Sequence, residues 1–471
     1  LKGGNVGEKE PRTKWLIALA GIVTLGAGYV MAITVKSPLA ALYEFFIAVM
    51  LVIIGTYCLF TAGSIAILKT LRRNKRFYYR TNPFIAVSGM IYRMKQNAAG
   101  LASICILSTM VIIMLSSTVS LYVGLEDVLR TRYPREIAVM AYHVDDEQIG
   151  KLEAAVAEIS EEAGARPQNP LTLQYVTEVA VHDGRTFIGG RGASYTDKNA
   201  VLLTFITAEE YNRIEGARAE LSEGEALVYV EEGKLPGEAL RFDGFSLAIR
   251  EQLDEFGLAK ELALNDFLPN SYVVVTAGEA DIARVRQSLY GDEKIGIDYD
   301  YMYHFDTATD RETQIRLVSA LYANLPVDGY ADGREASKRE FLTVYGSLFF
   351  LGLFLGALFI LGTVLIIYYK QISEGFDDKE RFAIMLKVGL DHGEIKKTIR
   401  FQVLSVFFLP LLMAVCHIAA AFPVISKLLA IFRMTNVPLY ALCTGLTILA
   451  FAACYAAIYA LTARTYYKIV R

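Results

Sequence analysis

The chain has 471 residues, 54% hydrophobic and 21% charged, with a mean hydropathy of +0.35 and a formal net charge of −3. It is too apolar for an ordinary soluble domain of this size and too charged for membrane spans alone, so both parts are required. The small net charge hides a split: residues 124–340 hold 22 Lys/Arg and 41 Asp/Glu (net −19), while the remainder holds 25 and 9 (net +16).

Residues 1–14 are polar and read as a cytoplasmic segment, resembling a loop of a longer protein rather than a signal peptide. Six apolar runs then reach the length needed to cross a bilayer: Trp15–Ile33, Tyr43–Leu68, Leu101–Val123, Leu342–Tyr368, Phe401–Ala421 and Leu439–Ala463. The first two make a pair over residues 15–68, and the third occupies 101–123. Between them, 69–100 is a basic loop. Its stretch Lys69–Asn97 carries eight basic residues and no acidic ones, Arg72, Arg73, Lys75 and Arg76 among them, so it is expected in the cytoplasm. Both termini then fall inside, as does the loop 370–400, and the acidic block 124–340 falls outside. The link Phe422–Pro438 also falls outside. All five cysteines lie in apolar runs, so no disulfide framework supports the acidic block.

Within that block, Leu171–Val181, Ala200–Ile206, Ala226–Val230 and Tyr272–Thr276 read as strands from their β-branched and aromatic content. Asp145–Ala163 spaces Ile149, Leu152, Val156 and Ile159 as a helical stripe. Thr207 with Glu210, and Thr309 with Glu312, have capping-box spacing. The predicted architecture is a membrane α-helical protein of six transmembrane helices, with a large extracellular α+β domain between the third and fourth spans. Leu125, Val128 and Leu129 continue the stripe of the third span, and Ala336–Phe341 leads into the fourth. These segments are either stalk helices or short linkers.

Residues 341–471 carry three spans and the most specific segment of the chain, Tyr368–Gln402. Two amphipathic helices are expected to meet at Gly389–Gly393, with Phe382, Met385 and Leu386 on one face and Glu380, Arg381 and Lys387 around them. Such a helix suits a groove in a partner protein. Gly352 and Gly356 form a small-xxx-small pair for close helix packing. Pro410 interrupts the fifth span, and His417 is the one ionisable side chain well inside a span. It either pairs with a neighbour or lines a cavity.

The Glu-Arg…Ile…Leu-Lys…Gly pattern of 380–389 resembles the signature of FtsX-like permeases of ABC transporters. Phe84–Ala98 and Ser116–Asp127 resemble the bacitracin-resistance-type branch of that family. The chain resembles the C-terminal six-span portion of such a permease. The resemblance implies a separate ATP-binding subunit in two copies, docking on a coupling loop that contains Glu380, Arg381, Met385, Lys387, Gly389 and Gly393. It implies resistance to, and sensing of, antimicrobial peptides that act on cell-wall lipid intermediates, with a sensor histidine kinase as a further partner. The alternative is an FtsX-like scaffold that regulates cell-wall enzymes.

The residues agree that ATP and Mg are handled by the partner. The nearest P-loop-like run, Gly184–Gly189, continues with Gly190 and Arg191 rather than Lys and Ser/Thr, and reads as a turn. No cofactor, metal or nucleic-acid partner is expected for this chain, and no catalytic set is seen. His143, His182 and His304 lack metal-ligand spacing. The basic residues Arg72, Arg73, Lys75 and Arg76 either set topology by their charge alone or bind anionic lipid headgroups, and the resemblance implies the kinase as another partner there. The acidic block is either a solubilising surface or one that steers a cationic peptide or peptide–lipid complex over about 8 Å at physiological salt.

Overall fold

The computed structural model describes residues 15–35, 38–73, 81–189, 199–232, 235, 237–258, 270–291, 297, 299–387 and 392–470. For some residues in these helices, chiefly 81–97 and most of 374–406, the backbone alone is described. Among the described residues, six helical stretches are long and apolar enough to cross a membrane: Trp15–Thr34, Ala41–Thr70, Ala98–Val123, Arg334–Ser373, Phe407–Ile431 and Val437–Arg464.

The helices around them are longer than the expected spans. α1 (Trp15–Thr34) and α2 (Pro38–Cys58) form a hairpin, and a π-turn at Leu59–Gly63 leads into α3 (Ser64–Arg73). α4 runs from Thr81 to Val123, so the expected basic loop is helical from residue 81. Pro83 falls in the first turn, where its missing N–H costs nothing. The stalk reading holds on both sides: α5 (Leu125–Arg132) follows α4 and buries Leu125, Val128 and Leu129, and α10 spans Arg334–Lys387 without a break. The loop expected at 370–400 is therefore largely helix. Its helix-forming residues prolong the fourth span to Lys387; residues 388–391 lie outside the described residues, and α11 covers His392–Ile431. α11 continues through Pro410 and Pro423, so the link expected at 422–438 shrinks to residues 432–436 before α12 (Val437–Val470).

The intervening residues build one ten-stranded sheet in the order β10-β1-β9-β2-β4-β8-β5-β7-β6, with β3 beside β2. The strands are β1 (Ile137–Val144), β2 (Gln168–His182), β3 (Phe187–Ile188), β4 (Ala200–Thr207), β5 (Glu225–Glu232), β6 (Ala239–Arg241), β7 (Ser246–Leu253), β8 (Ser271–Thr276), β9 (Tyr299–Asp306) and β10 (Gly329–Gly333). The helices are α6 (Asp146–Glu162), α7 (Ala208–Glu215), α8 (Glu279–Tyr290) and α9 (Arg311–Ala323). β2 is long enough to join two halves: Leu171–Tyr175 register with β9, and Val176–Val181 with β4. β4/β8 and β5/β7 are parallel, and the other pairs are antiparallel.

Local chemistry sets the helix starts. Asp145 and Gln148 form a full capping box on α6, and the Thr207 hydroxyl caps α7 through the Glu210 N–H, each cap contributing about 1 kcal/mol. The box expected at Thr309–Glu312 does not form. Asp310 is the cap position of α9, where extended backbone ends one residue later than the spacing suggests. The Gly184 run is a hairpin turn between β2 and β3, with the Asp183 carboxylate accepting from the N–H groups of Arg185 and Thr186 at 2.8 Å each.

β1 serves two cores at once, because successive strand residues face opposite sides. Ile137, Val139 and Ala141 pack with Leu152 and Val156 of α6 and Leu317 and Leu321 of α9. Ala138 faces the other way, into a cluster of Leu125, Leu129, Tyr133, Tyr345, Leu429 and Met434. That second cluster joins the sheet to the membrane helices.

Candidate functional site

Both chain crossings between sheet and membrane helices lie side by side. α5 feeds β1, β10 feeds α10, and β1 and β10 pair antiparallel with Ile137 opposite Gly333. The Arg334 N–H donates to the Glu136 carbonyl at 2.9 Å, so the ladder runs directly into the first turn of α10.

A polar hub fills this neck. The Asp332 carboxylate accepts from the Tyr133 hydroxyl, from the Ser337 hydroxyl (2.5 Å) and from the Gly333 N–H (2.7 Å). Arg132 Nε donates to the Tyr133 oxygen at 3.1 Å, and its guanidinium lies 5.6 Å from the Phe341 ring centre. Burial, reinforced by the Asp332 acceptor, pushes the Tyr133 hydroxyl up to about 12, so it stays a donor at neutral pH. The Arg334 guanidinium donates to the carbonyls of Tyr133 (2.7 Å) and Pro134 (3.1 Å), satisfying the end of α5. Glu136 accepts from the Thr307 N–H at 2.7 Å, fastening the exit of β9 to the same point.

Further ties extend the neck to the other helices. Lys338 on α10 pairs with Glu126 on α5. Asn436, in the α11–α12 turn, donates to Asp127 at 2.6 Å and caps α12 by accepting from the Leu439 N–H. Tyr345 donates to the Phe432 carbonyl at 2.7 Å. Gly124 separates α4 from α5 where no side chain fits: a Cβ there would stand 2.7 Å from the Ser120 carbonyl oxygen and 2.8 Å from Met434 Sδ. This arrangement holds no acid–base or nucleophile set. It is a joint that ties the two crossings together.

From the neck, α10 covers 54 residues, about 80 Å at 1.5 Å per residue. Gly352 and Gly356 lie against α4. A Cβ on Gly352 would meet Thr118 Oγ1 at 2.6 Å, and one on Gly356 would meet Leu115 at 3.3 Å. Glu380, Arg381, Met385 and Lys387 lie on the last two turns of α10, with their side chains outside the described residues; Gly389 is wholly outside them. Gly393 is in the first turn of α11. Arg72 and Arg73 are exposed at the end of α3, whereas Lys75 and Arg76 lie outside the described residues. Among the described residues no His/Cys/Asp/Glu group could hold a metal ion.

His417, singled out in the sequence, both pairs and lines a cavity. Nδ1 lies 2.6 Å from the Tyr29 hydroxyl on α1, and Nε2 lies 3.0 Å from Thr56 Oγ1 on α2. Thr56 spends its one hydroxyl proton on the Val52 carbonyl at 2.6 Å. It must therefore accept from Nε2–H, which leaves Nδ1 to accept from Tyr29. One neutral imidazole thus ties the hairpin to α11.

The neck residues Arg132, Tyr133, Asp332, Arg334, Ser337 and Asn436 are not singled out by sequence reasoning. The run Tyr330-Ala-Asp-Gly-Arg334 reads as a turn, and only its pairing with β1 makes it a strand.

No family model matches the chain. It is similar to the ABC transporter permease protein YxdM of Bacillus subtilis, 25% identical over 88% of this chain and 63% of that protein. It is also similar to the bacitracin export permease protein BceB of Bacillus subtilis (22%, over 85% of this chain and 61% of that protein) and of Halalkalibacterium halodurans (23%, over 85% and 61%). The resemblance to ABC transporter permeases of the bacitracin type is thus borne out over most of the chain. The chain spans somewhat over three fifths of the length of these curated relatives.

Proposed function

We infer that this chain, similar over most of its length to bacitracin-export permeases, is a permease component of an ABC transporter. It carries motion between an ATP-binding partner at one membrane face and the sheet domain at the other. The observation that supports this most directly is the unbroken course of α10 from the β10 junction at Arg334 to Lys387. A helix this long, locked at one end into a sheet edge and packed on α4, moves as a lever rather than as a string of linkers.

In this reading the basic surfaces face the cytoplasm, following the positive-inside rule, and the net −19 sheet domain faces outside. ATP and Mg are bound by the partner, in two copies, which docks on Glu380, Arg381, Met385, Lys387, Gly389 and Gly393. The outer domain meets a cationic peptide or its complex with a cell-wall lipid intermediate, and the movement frees that lipid or reports the peptide. A sensor histidine kinase and anionic lipids are the proposed partners of Arg72, Arg73, Lys75 and Arg76.

Two variants test the two ends of the lever. Arg381→Glu combined with Lys387→Glu should abolish co-purification of the ATP-binding protein. Arg339→Pro breaks α10 between sheet and membrane. It should leave that co-purification intact and remove peptide tolerance. If the double reversal changes neither partner binding nor tolerance, the docking assignment is wrong. If Arg339→Pro keeps full tolerance, the lever is wrong. A wild-type chain that binds its ATPase yet confers no peptide tolerance would favour the scaffold reading.

A further inference from the structure

A cleft of about 380 Å³ opens between the α1–α2 hairpin and the α4–α11 pair. Phe45, Val49 and Val52 form one wall, and Ile106 and Ile113 the other. Its lining grades from outside to inside. Phe46 (65% exposed) and Met110 (44%) stand at the mouth, whereas Ala48 (4%), His417 (3%) and Val424 (2%) are buried at the floor.

What fills such a space follows from its walls and its depth. Both ring nitrogens of His417 are engaged by Tyr29 and Thr56, so the most polar lining group offers nothing to a guest. A buried water needs two to four polar partners, and an apolar cavity without them stays dry or takes an apolar ligand. The hairpin, α4 and α11 all contribute membrane-span residues to the lining, so the mouth faces hydrocarbon rather than solvent. The most abundant apolar molecule there is the acyl chain of a phospholipid.

We propose that this cleft binds one acyl chain of a membrane phospholipid, entering sideways between Phe46 and Met110. The chain gains dispersion contacts on both walls that it lacks in the fluid bilayer. The His417 node holds the hairpin at the spacing that keeps the cleft open. This site is independent of the peptide reading.

Photolabelling decides it. The chain is reconstituted in nanodiscs of phosphatidylglycerol and phosphatidylcholine that contain a phospholipid with a diazirine on one acyl chain. Adducts should concentrate on residues 45–53 and 106–114 and saturate at about one per chain. Val49→Trp, which fills the cleft, should cut labelling about tenfold. Leu446→Trp, on an exposed face of α12, should leave it unchanged. Adducts spread evenly over exposed faces such as Leu351 and Leu446 would overturn the proposal, as would undiminished labelling of a folded Val49→Trp. Should Val49→Trp not fold, the wild-type adduct map together with Ala48→Leu decides by the same criteria.

Discussion

The Tyr133 hydroxyl donates to the Asp332 carboxylate across 199 residues of sequence. It joins the residue just after α5 to the residue two before α10. The two crossings of the chain are thereby one mechanical unit, and most of what can be tested about this protein follows from such long-range pairs.

Tyr133→Phe removes the donor while keeping the ring in its apolar cluster. The carboxylate keeps Ser337 and Gly333, so the expected loss is about 1.5–3 kcal/mol, the range for a hydrogen bond to a charged group. A double-mutant cycle with Asp332→Asn, read by thermal unfolding, should give a coupling above about 0.5 kcal/mol. Additive effects would mean that the contact does not hold the neck.

Gly352→Ala and Gly362→Ala make a matched pair on one helix. The first puts a Cβ 2.6 Å from Thr118 Oγ1, and the second meets nothing within 4 Å. Overpacking predicts a loss of about 1–3 kcal/mol for Gly352→Ala and none for Gly362→Ala. Melting temperatures in detergent compare them; equal values would show that α4 and α10 do not depend on close approach there.

His417→Phe should loosen the hairpin from α11, because it strands the Tyr29 hydroxyl and the Thr56 acceptor in an apolar setting. Hydrogen bonds between membrane helices contribute about 0.6–2 kcal/mol each. Tyr29→Phe should recover part of the loss in the His417→Phe background, since it removes the stranded hydroxyl. No recovery, measured by unfolding in detergent, would argue against the bond.

His304 makes the sheet domain acid-sensitive. Burial, with a smaller push from the Arg135 charge, holds its imidazole down to about 4, and Nε2 has no hydrogen-bond partner. The unfolded chain takes up the proton near pH 6.5, before the folded one does. The contribution is therefore full above that pH and falls as pH drops towards 4, by up to about 3 kcal/mol. His304→Leu should flatten this part of the profile. Thermal melts at pH 7.5 and pH 5.0 measure it, and an equal drop for both proteins would place the sensitivity elsewhere.

Local patterns were enough for much of this architecture. Apolar run length marks six spans because a bilayer imposes one minimum length on any helix that crosses it. The Asp145–Ala163 stripe, the Thr207 cap and the β-branched runs at Ala200–Ile206 and Tyr272–Thr276 are legible for a similar reason: their signals lie within a few residues of one another. The stripe at Leu125, Val128 and Leu129 shows that α5 is amphipathic, though not what it packs against. Gly352 and Gly356 announce close packing without naming Thr118 and Leu115 as the neighbours.

What the tertiary structure alone decided depends on partners distant in the chain. β10 is a strand because β1 supplies its ladder, although Ala-Asp-Gly by itself favours a turn. Tyr133, Asp332 and Ser337 form a hub only once two crossings 200 residues apart are brought side by side. The tautomer of His417 follows from hydroxyls on two other helices. Periodicity, composition and motif are local properties, so they mark six candidate spans, the division of charge between those spans and the sheet domain, and the family the chain resembles. Which elements touch, and hence how the sheet is joined to the long helices, was decided by packing, because a contact energy exists only when both partners are in place.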